Sequence, residues 1–260
     1  MTHHFLRYKE FQVSNFSLEV AIKSESAVTE IRNGLRSGVV YKIPHNISIE
    51  FIKDFKKSLL SSLSYNDPGY SERVYGCKNN YRVHWNHNKQ AIEGKFMSWS
   101  YYPWNSESTE LFRKFKDIYV LRNKLAGLAP NKYLDNNDKN FVARIAAQFY
   151  PSGEGYMGEH IDPFNVHQFA IPTILLSKPE VDFHNGGFYI LDKYDRRVYL
   201  DHLLDLGDLF LFHTSIPHGV EIIDKNCDAH HSKGFGRLMM ITAVNAIENQ
   251  SMFQSSLKND

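Results

Sequence analysis

The sequence predicts a mainly β protein with some helix. A jelly-roll core spans residues 141–248, and a mixed α/β part over residues 1–140 supplies helices that buttress one sheet. Three observations lead there. First, from residue 141 the chain becomes a series of short apolar runs: "FVARIAAQFY", "FAIPTILLS", "GGFYILD", "DLFLFH", "GVEII" and "RLMMITAVN". Second, turn residues separate these runs and no long helical pattern interrupts them, which is the spacing of a β-sandwich or barrel. Third, the part before residue 141 mixes helical periods with strand-like stretches. At 260 residues the whole reads as a single domain, 1–260, with a C-terminal tail over 249–260.

In chain order, "SGVVYKI" at 37–43 is a short strand. Residues 48–63 carry Ile49, Ile52, Phe55, Leu59 and Leu60 at helical spacing, and Ser48 suits the N-cap. "NDPGYS" is a turn. "NNYRVHW" and "KFMSWSYY" read as strands. Residues 106–128 predict an amphipathic helix, capped near Ser106 or Ser108 and stopped near Gly127.

Apolar residues make up 42% of the chain, enough for a proper core. Thirty basic residues face 29 acidic ones, which gives no case for nucleic acid or an anionic membrane surface as partner. Cys77 and Cys227 form neither a disulfide framework nor a cysteine metal site, which fits a reducing cytoplasm. The start, "MTHHFLRYKEF", lacks the apolar core of a signal peptide, and no apolar run reaches membrane-spanning length. A small molecule is the expected partner.

The chemistry concentrates in "GEHIDPF", residues 158–164. An iron(II) site that works with oxygen needs three protein ligands on one face and open positions on the other, and two histidines with one carboxylate provide this. His160 and Asp162 can be aimed at one ion by a bend at a strand end. A distant strand must bring the third ligand, and the candidate is His218 in "GDLFLFHTSIPHGVEII". His84 and His87, His213, and His230 and His231 are read as non-ligands. The first two face opposite ways on a strand, as do His213 and His218, and the last pair lies in an inserted loop.

The order "FYPSGEGYMGEHIDP", "NGGFYILD", "GDLFLFHTSIPHGV", "GRLMMITAVN" resembles the iron(II)/2-oxoglutarate-dependent dioxygenases, whose core is a double-stranded β-helix. The Y-P-x-x-G-x-G-Y…H-x-D stretch is similar to the prolyl-hydroxylase branch. The resemblance covers roughly residues 141–248. It implies that His160, Asp162 and His218 bind Fe(II), and that O2 and 2-oxoglutarate are cosubstrates. It implies that Arg237 pairs with the distal carboxylate of 2-oxoglutarate and that Tyr150 lines the same pocket. The stretch between His218 and Arg237 is longer than the family's. Leu175 stands where a second anchoring tyrosine would be, so Thr173 and Gln148 are the candidate replacements. If Tyr150 faces the barrel interior, alternation turns Gln148 and Arg144 inward too. Arg144 would then meet an acidic group of the substrate, or an Asp or Glu of the chain.

The resemblance implies hydroxylation of an unactivated C–H bond. A small metabolite suits the chain's size, with free amino acids the first candidates. Two alternatives stay open: a protein or peptidyl hydroxylase, and a non-catalytic jelly-roll binding module. The aromatic segments "RVHWNHN" and "SWSYYPWN" line a pocket or simply pack against the barrel.

Overall fold

The structure, a computed structural model, describes residues 6–44, 47–66, 68–69, 71–85, 92–134, 138–162, 167–228 and 234–247. His87, His230, His231 and the 249–260 tail lie outside them.

The N-terminal part runs β1 (Glu10–Val13), α1 (Leu18–Lys23), α2 (Glu25–Arg36), β2 (Val39–Ile43) and α3 (Ile49–Ser61). Each of the three helices starts on a serine. The side chains of Ser17, Ser24 and Ser48 accept hydrogen bonds from the backbone N–H of Val20, Ala27 and Phe51. In α2 the buried residues Ala27, Val28, Ile31 and Leu35 make one stripe. Then come β3 (Asn80–Trp85) and β4 (Gly94–Tyr101).

The helix predicted over 106–128 is broken. A 3-10 turn at Ser106–Ser108 leads into α4 (Thr109–Lys114), and α5 (Lys116–Ala126) follows. Phe115, at φ −98° and ψ 9°, is the joint. Its ring is fully buried and lies 6.2 Å from that of Phe51 on α3. Bending there lets the apolar residues of both short helices reach the core. Gly127 closes α5 in the left-handed conformation, φ 76°, as the sequence anticipates.

The remaining strands are β5 (Phe141–Pro151), β6 (Tyr156–His160), β7 (Thr173–Leu175), β8 (Gly187–Leu191), β9 (Arg197–Tyr199), β10 (Leu209–Leu211), β11 (His218–Glu221) and β12 (Gly236–Ala246). They fall into two antiparallel runs, β10-β7-β12-β5 and β6-β11-β8-β9. β4 joins the runs, pairing with β5 through Met97–Tyr101 and with β6 through Gly94 and Lys95. The N-terminal part therefore contributes strands as well as helices: β2 extends the first run beyond β10, and β1 lies parallel to β2.

Alternation on β5 and β12 separates two cores. Ala143, Ile145, Ala147 and Phe149, with Leu238, Met240 and Val244, pack into the cluster that includes the helices. Ala146 and Tyr150, with Met239 and Ile241, face the barrel interior beside Phe188, Phe210 and Val220. Each large apolar side chain so buried contributes about 1.5–3 kcal/mol. A one-residue register slip would exchange the two faces, so burial on both sides fixes which residues look inward. Among the described residues no helix is long and apolar enough to cross a membrane.

Candidate metal centre and cavity

His160 is the last residue of β6 and His218 the first of β11, and the antiparallel register sets them opposite each other. The pairing shifts between His218 and Val220, an irregularity beside the site. Asp162 follows β6 by two residues, and its N–H donates to the Thr214 carbonyl at 3.1 Å. The local fold thus delivers three side chains to one point from two neighbouring strands.

Both imidazoles are oriented by their own backbone. His160 Nδ1 donates to the Gly158 carbonyl at 2.9 Å, and His218 Nδ1 to the Ile216 carbonyl at 2.8 Å. Nε2 of each ring is thereby left for a ligand, the usual support of a metal-binding histidine. His218 Nε2 lies 3.3 Å from Asp162 Oδ2 and His160 Nε2 3.9 Å from Asp162 Oδ1. One donor atom from each of the three residues lies within 4.8 Å of the others. Ligands bonded at about 2.1 Å and at right angles stand roughly 3 Å apart, so small side-chain rotations suit this set to an ion. Two nitrogens and one carboxylate are also the donor types an iron(II) site uses.

Electrostatics favour the ligating forms. Burial, then the neighbouring His218, lowers the pKa of His160 to about 4, so the ring is neutral near pH 7. Burial alone would raise the Asp162 carboxyl. The hydrogen bond and charge of His218, followed by His160 and Arg144, hold it below its ordinary value.

These residues open on a cavity of about 590 Å³. Arg144, Gln148 and Tyr150 of β5 all line it, so the inward alternation holds. Thr173, Phe188 and Met239 line it too. Tyr150 is fully buried, and its hydroxyl donates to Gln148 Oε1 at 3.0 Å. Burial pushes its phenol pKa far up, so it stays a donor. The Thr173 hydroxyl donates to the Ile171 carbonyl at 3.3 Å. From the aromatic N-terminal segments, Arg82, His84, Phe96, Ser98 and Tyr102 form part of the wall. His84 bonds Ser98 Oγ at 2.9 Å and stacks on Phe96, apart from the donor set. His213 is buried against Phe169, with Nδ1 2.7 Å from Ser215 Oγ, and is also outside that set.

Arg237 is fully buried behind this wall. Its guanidinium carbon lies 5.8 Å from the ring centroids of Tyr150 and Phe188. It has a partner that sequence reasoning missed: Nε and Nη2 donate to Asp201 at 2.6 and 2.8 Å. Only Nη1 remains, 2.8 Å from the sulfur of Met239, a weak acceptor. Asp201 Oδ2 also accepts from the Phe188 N–H at 2.8 Å. The one local trace of this in the sequence is Gly187. It adopts φ +116°, and a Cβ there would stand 2.5 Å from Asp201 Oδ2.

Arg144 differs. Its Nη1 reaches Ser100 Oγ at 3.4 Å, and its enclosed Nε has no hydrogen-bond partner. Arg73 and Arg82, neither singled out by the sequence, line the same cavity. Burial, then repulsion from Arg73, lowers the Arg144 pKa to about 10.

No family model matches the sequence, and no curated protein matches it. Solved structures do. A Pseudomonas putida prolyl-4-hydroxylase aligns at 12% identity over 84% of this chain and 98% of its own, with a TM-score of 0.52. The epimerase SnoN, in complex with Fe3+, alpha ketoglutarate and nogalamycin RO, aligns at 12% identity over 85% and 84%, with a TM-score of 0.51. At such identity the likeness is one of fold: the chain has the jelly-roll fold of these two proteins.

Proposed function

We propose that the protein is an iron(II)- and 2-oxoglutarate-dependent oxygenase that hydroxylates an unactivated C–H bond of a small metabolite, with free amino acids the first class to test. The observation that carries this is the convergence of His160, Asp162 and His218, both imidazoles held by backbone carbonyls, on a cavity of about 590 Å³. That volume suits a small molecule. The fold, shared with a prolyl-4-hydroxylase and with an epimerase solved with iron and alpha ketoglutarate, supports the same class. The two cysteines are free, in keeping with a cytoplasmic protein.

His160, Asp162 and His218 would hold the iron(II) ion, and all three border the cavity in which substrate and cosubstrate would meet it. Arg237 offers Nη1 to the distal carboxylate of 2-oxoglutarate, an acceptor that would displace the sulfur of Met239. Tyr150, Gln148 and Thr173 border the path between Arg237 and the metal ligands and orient the cosubstrate. Arg144 holds the substrate. When bound, iron(II) and 2-oxoglutarate supply the oxidising chemistry. The balance is substrate C–H, O2 and 2-oxoglutarate going to substrate C–OH, succinate and carbon dioxide. Phe188, Phe212 and Met239 line the inner wall and help exclude water. Asp162 fills the third protein position with an anionic oxygen, so hydroxylation is expected even in chloride-rich buffer.

The test is anaerobic loading with iron(II) and 2-oxoglutarate, then exposure to oxygen and a metabolite library, reading succinate release and product mass. His160→Ala, Asp162→Ala and His218→Ala should each lose bound iron and turnover while keeping the wild-type circular dichroism. Full iron binding and activity in His218→Ala would overturn the ligand set. A chlorinated main product would overturn the role of Asp162.

A further inference from the structure

Resting on the oxygenase reading, we infer that the substrate is a small organic acid whose oxyanion is held by Arg144 and Arg73, with the carbon to be oxidised turned towards His160, Asp162 and His218. Position comes first. Arg144 and Tyr150 share the inward face of β5, and at about 3.4 Å per residue the backbone separates them by roughly 20 Å. Tyr150 pairs with Arg237 in the sheet, while Arg144 pairs with Ala243. Arg144 therefore lies at the opposite end of the cavity from the Arg237–Asp201 pair. Arg73 comes to the same end, where its Nη1 donates to the Ala246 carbonyl at 3.2 Å. Arg82, anchored by its Nη2 on the Ser71 carbonyl, adds a third positive charge to the lining.

Unmet bonding capacity comes second. The Nε atoms of Arg144 and Arg73 are shut off from water and have no hydrogen-bond partner. Neither residue has a carboxylate within ion-pair distance among the described residues, whereas Asp201 takes two of the three nitrogens of Arg237. Among the described residues the one acidic side chain in the lining is Asp162, which belongs to the metal set. A guanidinium keeps its proton, so an enclosed one stays charged and calls for an anion. Its planar fork matches a carboxylate or a phosphate edge on. Two neutral acceptors in the same lining, Gln168 Oε1 and Asn245 Oδ1, are also enclosed and unpartnered, and could take donors from the rest of the substrate.

The test uses the full chain loaded anaerobically with manganese(II) and saturating 2-oxoglutarate, and reads thermal stability, which needs no turnover. The probes are butyrate, inorganic phosphate and the neutral isostere butyramide. Butyrate or phosphate should raise the melting temperature, and butyramide should not. The larger of the two anion responses tells a carboxylate substrate from a phosphate ester. Arg144→Met should weaken the response at least about tenfold in probe concentration, because it removes one partner of an enclosed charge pair, and Arg73→Met, whose guanidinium is partly exposed, should weaken it by less. Butyramide acting as well as butyrate would overturn the proposal, as would undiminished responses in both variants. If Arg144→Met instead lost the stabilisation by 2-oxoglutarate and kept that by butyrate, the arginines would hold the cosubstrate and the proposal would fall. Anion responses without succinate release from any metabolite would remove the oxygenase reading and leave an acid-binding site. Succinate release with neutral metabolites alone would do the reverse.

Discussion

Arg237 and Arg144 sit at opposite ends of one hydrogen-bonded strand pair, and among the described residues only Arg237 has a carboxylate partner. Arg237 is clamped by Asp201 through two nitrogens, with a single arm left beside a methionine sulfur. Arg144 has one long contact to a serine hydroxyl and shares its cavity with two more arginines. The first environment has its charge balanced before any ligand arrives and so can serve stability, with one arm to spare. The second leaves the Arg144 charge without a carboxylate among the described residues, a cost that a fold carries where a ligand will offset it.

The largest effect expected from this contrast is on stability at the Arg237 end. Asp201→Ala would leave a fully buried guanidinium facing one sulfur atom. Removing one partner of such a pair costs about 3–5 kcal/mol. Urea unfolding of the metal-free protein measures it. The double variant Arg237→Met, Asp201→Leu should recover most of the loss, because no charge then remains to be satisfied. A single variant within about 1 kcal/mol of wild type would mean that water or a shifted side chain solvates Arg237, and the two ends would be more alike than drawn.

The sequence shows one end better than the other for the same reason. His160 and Asp162 stand two residues apart, and His218 follows a strand and a proline turn, so ligand type and order are readable from the chain itself. Alternation along β5 is equally local, and Arg144, Gln148 and Tyr150 do face the cavity together. The partner of Arg237 is not local: Asp201 reaches it across the barrel from a short turn, and only the glycine at 187 hints at the close approach. Arg73 and Arg82 reach Arg144 from N-terminal segments that carry no ligand pattern. The break at Phe115 depends on a pocket beside Phe51, where tertiary packing overrides a continuous helical period. Of the helices at 18–36, α1 is only six residues long, whereas α2 carries a readable stripe at Ala27, Val28, Ile31 and Leu35 that the sequence reading passes over.

Arg144→Met should behave in the opposite way to Asp201→Ala. The substitution keeps much of the stem and removes a charge that has no carboxylate partner among the described residues. Stability should lie within about 1 kcal/mol of wild type, or above it. The same urea titration reads this, so the pair of variants forms one experiment on the two ends. A loss of several kcal/mol would show that Arg144 already has a strong partner within the chain, and the cavity would need no anion.

Histidine supplies the smallest effect, and it sharpens the comparison because an imidazole can escape burial where a guanidinium cannot. His160 and His213 are both held at about pKa 4, against an ordinary value of 6.5. Burial is the main cause in each, followed by His218 for the first and Arg36 for the second. Both rings are neutral in the folded protein near pH 7. The unfolded chain takes up protons at these residues from about pH 6.5 downward, while the folded chain does so only near pH 4. Their contribution is therefore complete above about pH 6.5 and is lost as the pH falls towards 4. The urea midpoint of the metal-free protein should drop between pH 7.5 and 5, driven by these two rings together with His167, whose pKa burial also lowers. His213→Gln should flatten the drop in part. Added manganese(II) should steepen what remains, because metal and proton compete for His160. An unchanged midpoint across that range would show that both rings protonate freely in the folded protein, and that burial at the metal end is as easily relieved by water as at an exposed site.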